Sequence, residues 1–170
     1  MNLLLDKEMN PMRKPKIYID TSVISVLENN LRPEWTVETM ELWDDIINGL
    51  FIPIISDITY DELDKCPEHI KDILYNYIAQ VDAVNIDETE ESIELAGQYI
   101  NHGVLSEKNR DDCRHIALAT ISDVDYIVSW NFKHFVNVRV INMVQAVNRL
   151  NGYKEVRIIS PQMLGGYHNE

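Results

Sequence analysis

At 170 residues the chain is the size of a single domain with a core of its own. It carries 28 acids against 15 bases, a net charge of −13, which argues against a general nucleic-acid binder. It has no apolar run of about 18 residues, so it offers no membrane-spanning helix. Residues 1–15 read as a tail ahead of the fold. Leu3-Leu4-Leu5 is too short for a signal-peptide core and runs at once into Asp6-Lys7-Glu8.

The fold begins at residues 16–20, an apolar strand ending on Asp20, followed directly by a helix from Thr21 to about Asn29. Residues 36–48 form an amphipathic helix, with Val37, Met40, Leu42, Trp43, Ile46 and Ile47 at helical spacing and Gly49 at its C-terminus. Residues 50–55 are a strand whose Pro53 points to an edge or a bulge. Ser56 caps a short helix carrying Asp61 and Glu62. Pro67 opens the next helix, whose buried face is Ile70, Ile73, Leu74, Tyr77 and Ile78. Residues 81–86 are a third strand. Asp87 with Glu90 starts a helix that ends near Gly103. Asn109 or Ser106 caps a helix through His115-Ile116-Ala117-Leu118-Ala119. Residues 124–128 are a fourth strand, 138–141 a fifth, 144–150 a closing helix, and 156–159 a late edge strand. Apolar runs alternating with helical patterns give an α/β fold with a mainly parallel sheet over residues 16–160, followed by a tail at 161–170.

Chemistry gathers at the carboxyl ends of parallel strands. Asp20 lies at the tip of the first strand and Asn131 just past the tip of the fourth, while Glu62 and Asp112 sit on helices able to reach the same end. Carboxylates about 4 Å apart repel by roughly 4 kcal/mol at a surface-like dielectric, so a cluster of them calls for a cation. Oxygen-only donors favour Mg²⁺ or Mn²⁺. Such an ion supplies a hydrolytic water for phosphodiester cleavage. Adjacent helical residues point about 100° apart, so one acid of each neighbouring pair faces the site. Glu62 is favoured over Asp61 as four after Ile58, and Asp112 over Asp111 as four before Ile116. Asp125 precedes its strand and belongs at the opposite end of the sheet. Arg110, Arg114, Lys133 and His134 flank the site and are candidates to hold substrate phosphates. Trp130 is read chiefly as a packing residue, with base stacking the lesser option. Cys66 and Cys113 fit free thiols in a reducing cytoplasm, and a zinc site through Cys113 and His115 lacks further ligands.

Four segments resemble, in order and rough spacing over about residues 16 to 150, the motifs of PIN-domain nucleases. They are Ile17-Tyr18-Ile19-Asp20-Thr21-Ser22-Val23-Ile24, Ser56-Asp57-Ile58-Thr59-Tyr60-Asp61-Glu62-Leu63, Asp112-Cys113-Arg114-His115-Ile116-Ala117-Leu118-Ala119, and Asp125-Tyr126-Ile127-Val128-Ser129-Trp130-Asn131-Phe132-Lys133-His134-Phe135. The resemblance is nearest to the VapC-like branch, the toxins of bacterial and archaeal toxin–antitoxin pairs. It implies a three-layer α/β/α sandwich and a Mg²⁺- or Mn²⁺-dependent endoribonuclease acting on RNA. Asp20, Glu62 and Asp112 would be its acidic metal site and Ser22 a hydroxyl orienting an acid or a water. Asn131 stands where many members have a fourth aspartate. Its amide carbonyl still binds a metal or water but adds no charge, which leaves the second metal position open.

The resemblance also implies a homodimer and an antitoxin protein as partner, while the free cysteines point to a cytoplasmic location. The first 100 residues hold 21 acids and 7 bases, the remaining 70 hold 7 acids and 8 bases. The acidic part suits a basic partner segment, and the second part suits a polyanion. Two alternatives stay open. A non-catalytic PIN-like module would bind RNA or protein. A phosphatase with an aspartyl nucleophile would want an acid two residues after Asp20, where Ser22 stands.

Overall fold

Five short strands, β1 (Lys16–Ile19), β2 (Ile52–Ser56), β3 (Val84–Ile86), β4 (Tyr126–Val128) and β5 (Arg157–Ile159), pair in the order β3-β2-β1-β4-β5. Every neighbouring pair is parallel. The computed structural model describes residues 13–29 and 31–164, so residues 1–12 of the expected N-terminal tail, Asn30 and residues 165–170 lie outside the described residues. Between the strands run α1 (Thr21–Val26), α2 (Pro33–Ile47), α3 (Asp57–Leu63), α4 (Glu68–Ile78), α5 (Glu90–Asn101), α6 (Arg110–Ile121) and α7 (Val138–Leu150).

Period-two alternation divides the core into two. Tyr18, Ile54, Ile127 and Ile158 form one row across the sheet. They pack with Leu95 and Tyr99 of α5, Ile116 of α6 and Val144 of α7. Ile19, Val128 and Ile159 form the next row and face the other way. With Ile17 and Ile55 they pack against Val23 and Ile24 of α1, Leu42, Trp43 and Ile46 of α2, and Leu63 and Leu74 of α3 and α4. Helices therefore cover both faces, and the expected three-layer α/β/α sandwich is the observed one.

The strand expected at 138–141 is instead the first turn of α7. Its β-branched residues suggested extension, but Asn137 caps this turn, its side-chain oxygen accepting from the amides of Arg139 (3.0 Å) and Val140 (3.3 Å). Val140, Val144 and Val147 then share one buried helical face. The late segment supplies the fifth strand. Asn137→Ala is expected to cost about 1 kcal/mol, the usual worth of an N-cap. Urea denaturation measures it, and an unchanged midpoint would leave the cap without a role in holding α7.

Other differences are local. Pro33 begins α2, three residues before the expected start, because its fixed φ and missing amide suit the first turn. Val37, Met40 and Ile47 lie on the exposed side of that helix rather than in its buried stripe, as does Ile73 on α4. Pro53 is on an interior strand, not an edge. Ile52 donates to Pro15 on the β1 side, so Pro53 faces β3, whose pairing starts only at Ile54–Val84. The box opening α5 is Thr89 with Ser92, not Asp87 with Glu90. Gly49 and Gly103, with φ of 76° and 72°, close α2 and α5 as expected. After β5 the chain makes a 3₁₀ turn, Pro161–Leu164, with Pro161 and Leu164 buried.

Candidate active site

The chain leaves β1 toward β2 and β3 on one side and returns through β4 and β5 on the other. The β1–β4 boundary is thus the topological switch point, where a crevice forms beyond the strand ends. Asp20 follows β1 there and Ser129-Trp130-Asn131 follow β4. The Asp20 amide donates to the Val128 carbonyl (3.1 Å), which holds the two tips together.

Asp20 is 5% exposed. Its Oδ2 accepts from the Ser22 hydroxyl (2.5 Å), the Ser129 hydroxyl (2.8 Å) and the Ser22 amide (3.3 Å). Each hydroxyl in turn accepts a backbone amide of the β4 exit, Trp130 to Ser22 Oγ (2.9 Å) and Asn131 to Ser129 Oγ (3.0 Å). Among the described residues Oδ1 takes no hydrogen bond, yet no buried side-chain oxygen is left unpaired. Oδ1 therefore opens to solvent and is the atom free to meet a ligand.

Glu62 on α3 is held at both oxygens. The Thr21 hydroxyl donates to Oε2, and Nε2 of His115 donates to Oε1 at 3.2 Å. Burial pushes the Glu62 carboxyl up, but the His115 bond and charge and the Thr21 bond outweigh it and bring it below the ordinary value. His115, 1% exposed, meets the reverse contest. Burial penalises its charged form, while the Glu62 bond and the charges of Asp20, Glu62 and Asp112 raise it overall. Its Nδ1 lies 2.6 Å from the Tyr18 hydroxyl, itself 2.6 Å from Ser56 Oγ.

Asp112, in the first turn of α6, has its carboxyl raised by burial and then by the repulsion of Asp20, against the lowering pull of His134. His134 Nδ1 sits 2.8 Å from Asp112 Oδ2. Asp112 Oδ1, like Asp20 Oδ1, has no hydrogen bond among the described residues and reaches solvent. Asn131, expected as a fourth ligand, lies in the turn that leads to His134. Its Oδ1 accepts the amides of Lys133 (3.2 Å) and His134 (2.9 Å), and so closes the turn that delivers His134.

The flanking bases divide. Arg110 pairs with Glu107 (2.5 Å), and Arg114 with Glu88 (2.7 Å) and Asp111 (2.8 Å), so both are tied into surface ion pairs. Asp111 thereby faces away from Asp112, and Asp61 is exposed beside half-buried Glu62. Asp125 binds Arg13 (2.8 Å) and the Lys16 amide (2.7 Å) at the far end of the sheet. Trp130 is buried and stacks on Trp35 at 4.7 Å and 6°. Thr21, Ser129 and Tyr18 were not singled out from sequence, and His115 was weighed only as a zinc ligand with Cys113. A hydroxyl next to the strand-end acid and a histidine three after Asp112, on its helical face, were the signals available.

Cys113 is fully buried, and burial followed by the Asp112 charge pushes its thiol up to about 12. Cys66 is half-buried. At about pH 8 a thiol reagent is expected to label one cysteine per native chain and two after unfolding, because only the thiolate attacks. Two rapid equivalents in the native protein would contradict the buried placement of Cys113.

Among the described residues no three His, Cys, Asp or Glu side chains close on a single point tightly enough to enclose an ion unaided. The donors at the strand ends are nonetheless carboxylate oxygens with two open atoms. That set fits a hard cation such as Mg²⁺, which takes one or two carboxylates directly and keeps several waters.

No protein-family model matches the sequence, and no curated protein matches it either. Solved structures do share its fold. VapC20 of Mycobacterium tuberculosis, described as a sarcin–ricin-loop-cleaving toxin, aligns with a TM-score of 0.54 at 14% identity, over 83% of this chain and 98% of that one. VapBC2 of Rickettsia felis, solved with a DNA fragment from its promoter, aligns with a TM-score of 0.54 at 12% identity, over 85% and 98%. The chain has the fold of VapC-type PIN domains.

Proposed function

We propose that this protein is a metal-dependent endoribonuclease, the toxin of a toxin–antitoxin pair. The observation that carries the reading is that Asp20, at the β1 tip, and Asp112, bonded to His134 of the β4 exit, each leave Oδ1 without a hydrogen bond among the described residues and open to solvent at the switch point of the sheet. Asp20 and Asp112 would hold Mg²⁺ or Mn²⁺ through their open Oδ1 atoms, and Glu62, partly open beside them, would complete the acidic set directly or through one of the ion's waters. When bound, the ion supplies a water of lowered pKa and offsets charge on the phosphate.

The chain's own groups prepare that site. Ser22 and Ser129 fix Asp20 with Oδ1 outward, Thr21 and His115 fix Glu62, and His134 fixes one oxygen of Asp112. Lys133, two residues past Asn131, is a cation free to meet a substrate phosphate, since Arg110 and Arg114 are engaged by acids. Asn131 supplies a turn rather than charge, which favours one ion over two.

An antitoxin and a second copy of the chain belong to the same reading, and the acidic first 100 residues suit a basic antitoxin segment. No helix among the described residues is long and apolar enough to cross a membrane. The test is incubation of structured and single-stranded RNAs with Mg²⁺, Mn²⁺ or EDTA. Cleavage in either ion and none in EDTA supports the reading. Intact RNA under every condition, with folded and antitoxin-free protein, would replace it with the non-catalytic module, which the turn role of Asn131 would then explain.

A further inference from the structure

We propose that His115 is a positioning residue for the metal site, the link next to Glu62 in a side-chain relay, Ser56–Tyr18–His115–Glu62, that sets the direction in which Glu62 presents its carboxylate. The inference rests on the metal-dependent reading above and adds what stands behind His115, the hydroxyls of Tyr18 and Ser56.

The relay joins four elements. Ser56 ends β2 and caps α3, accepting the Thr59 amide at 3.2 Å. Its Oγ lies 2.6 Å from the hydroxyl of Tyr18 on β1, and that hydroxyl lies 2.6 Å from Nδ1 of His115 on α6. Nε2 of His115 then reaches Glu62 back on α3 at 3.2 Å. An ionised carboxylate only accepts, so the Nε2 proton points at Oε1 whether the ring is neutral or charged. The ring is also fixed in orientation. Tyr18 meets it edge-on at 5.8 Å and 76°, and Phe135 at 6.3 Å and 60°.

A leucine would fill this interior position without the cost of burying a polar ring. The relay is not a closed internal network, because it ends on a carboxylate that is partly open at the site. With Thr21 on Oε2, His115 leaves Glu62 only one pose. Outer partners that orient a ligating group commonly govern metal affinity by about 10- to 100-fold.

The experiment is Mn²⁺ binding to the full chain by calorimetry, with thermal melting in EDTA as the fold control. His115→Leu is expected to weaken Mn²⁺ binding by about 10- to 100-fold. His115→Gln, whose amide donates at similar reach, should recover most of the loss. Tyr18→Phe removes only the hydroxyl behind the ring and should fall between the two, although its ring still packs. His115→Leu binding Mn²⁺ within about twofold of wild type would overturn the inference. Should that variant not fold, Tyr18→Phe decides: affinity weakened by about threefold or more supports the relay, and wild-type affinity overturns it. Wild-type protein that binds no Mn²⁺ would remove the metal reading and this inference together, an outcome distinct from unchanged binding in the variants.

Discussion

Asp20→Asn is expected to lower RNA cleavage by about 10³-fold or more, about 4 kcal/mol of transition-state stabilisation, while leaving the protein folded. The substitution keeps the shape of the side chain. An amide oxygen in the place of Oδ2 can still accept from Ser22 and Ser129, whose hydroxyls are fixed by the β4-exit amides. The amide nitrogen then takes the position of Oδ1, the atom open to solvent. There it presents donors where a cation needs an acceptor. The loss is therefore of ligand charge and not of packing.

The same variant has a second consequence that does not depend on turnover. Part of the upward shift of the Asp112 carboxyl comes from Asp20. Removing that charge should bring Asp112 down toward the ordinary carboxylate range, read by NMR titration of its side-chain carbon in EDTA. Relief of repulsion should also leave the metal-free melting temperature unchanged or higher, the usual trade at a site that keeps like charges together. Cleavage within about tenfold of wild type would place the chemistry elsewhere. An unmoved Asp112 would mean that the two acids do not share a field.

The sheet was legible because its apolar runs sit between turn signals and its helices begin on caps that sequence displays, such as Ser56 and Pro67. The 138–141 segment was misread because four β-branched or long residues carry strand propensity, whereas the deciding feature was the cap one residue earlier and the valines continuing at 144 and 147. The places of Asp20 at a strand tip and of Glu62 and Asp112 on helices were legible from position and from the motifs around them. What holds them was not. Ser129 reaches Asp20 across 109 residues of chain and His115 reaches Glu62 across 53, and such pairings follow from strand order, which local pattern does not specify. Asn131 illustrates the same limit. Its residue type allowed a ligand, and only the geometry of the turn shows both Lys133 and His134 amides on its oxygen.

Trp130→Ala is expected to destabilise the protein by about 3–5 kcal/mol, a large share of the 5–15 kcal/mol typical of a domain. Trp130 is 3% exposed, its ring stacked on Trp35 and its Nε1 donating to Thr39 Oγ1 at 2.8 Å. The loss opens a cavity between the β4 exit and α2 and leaves the Trp35 ring without its partner. It also loosens the site, because the Trp130 amide is one of the donors that fix Ser22 behind Asp20. Trp130→Phe should cost much less, about 1 kcal/mol for the lost hydrogen bond beyond its smaller ring. Urea denaturation orders the three proteins. RNA binding then separates packing from base stacking. A buried ring cannot meet a base, so Trp130→Phe, once folded, should bind RNA like wild type, whereas the ring beside the site that solvent reaches is Phe132, 44% exposed. Weaker RNA binding by a Trp130→Phe protein of near-native stability would mean that the indole leaves the core to take up substrate. The stack with Trp35 would then be a resting state rather than part of the scaffold that carries Asp20 and His134.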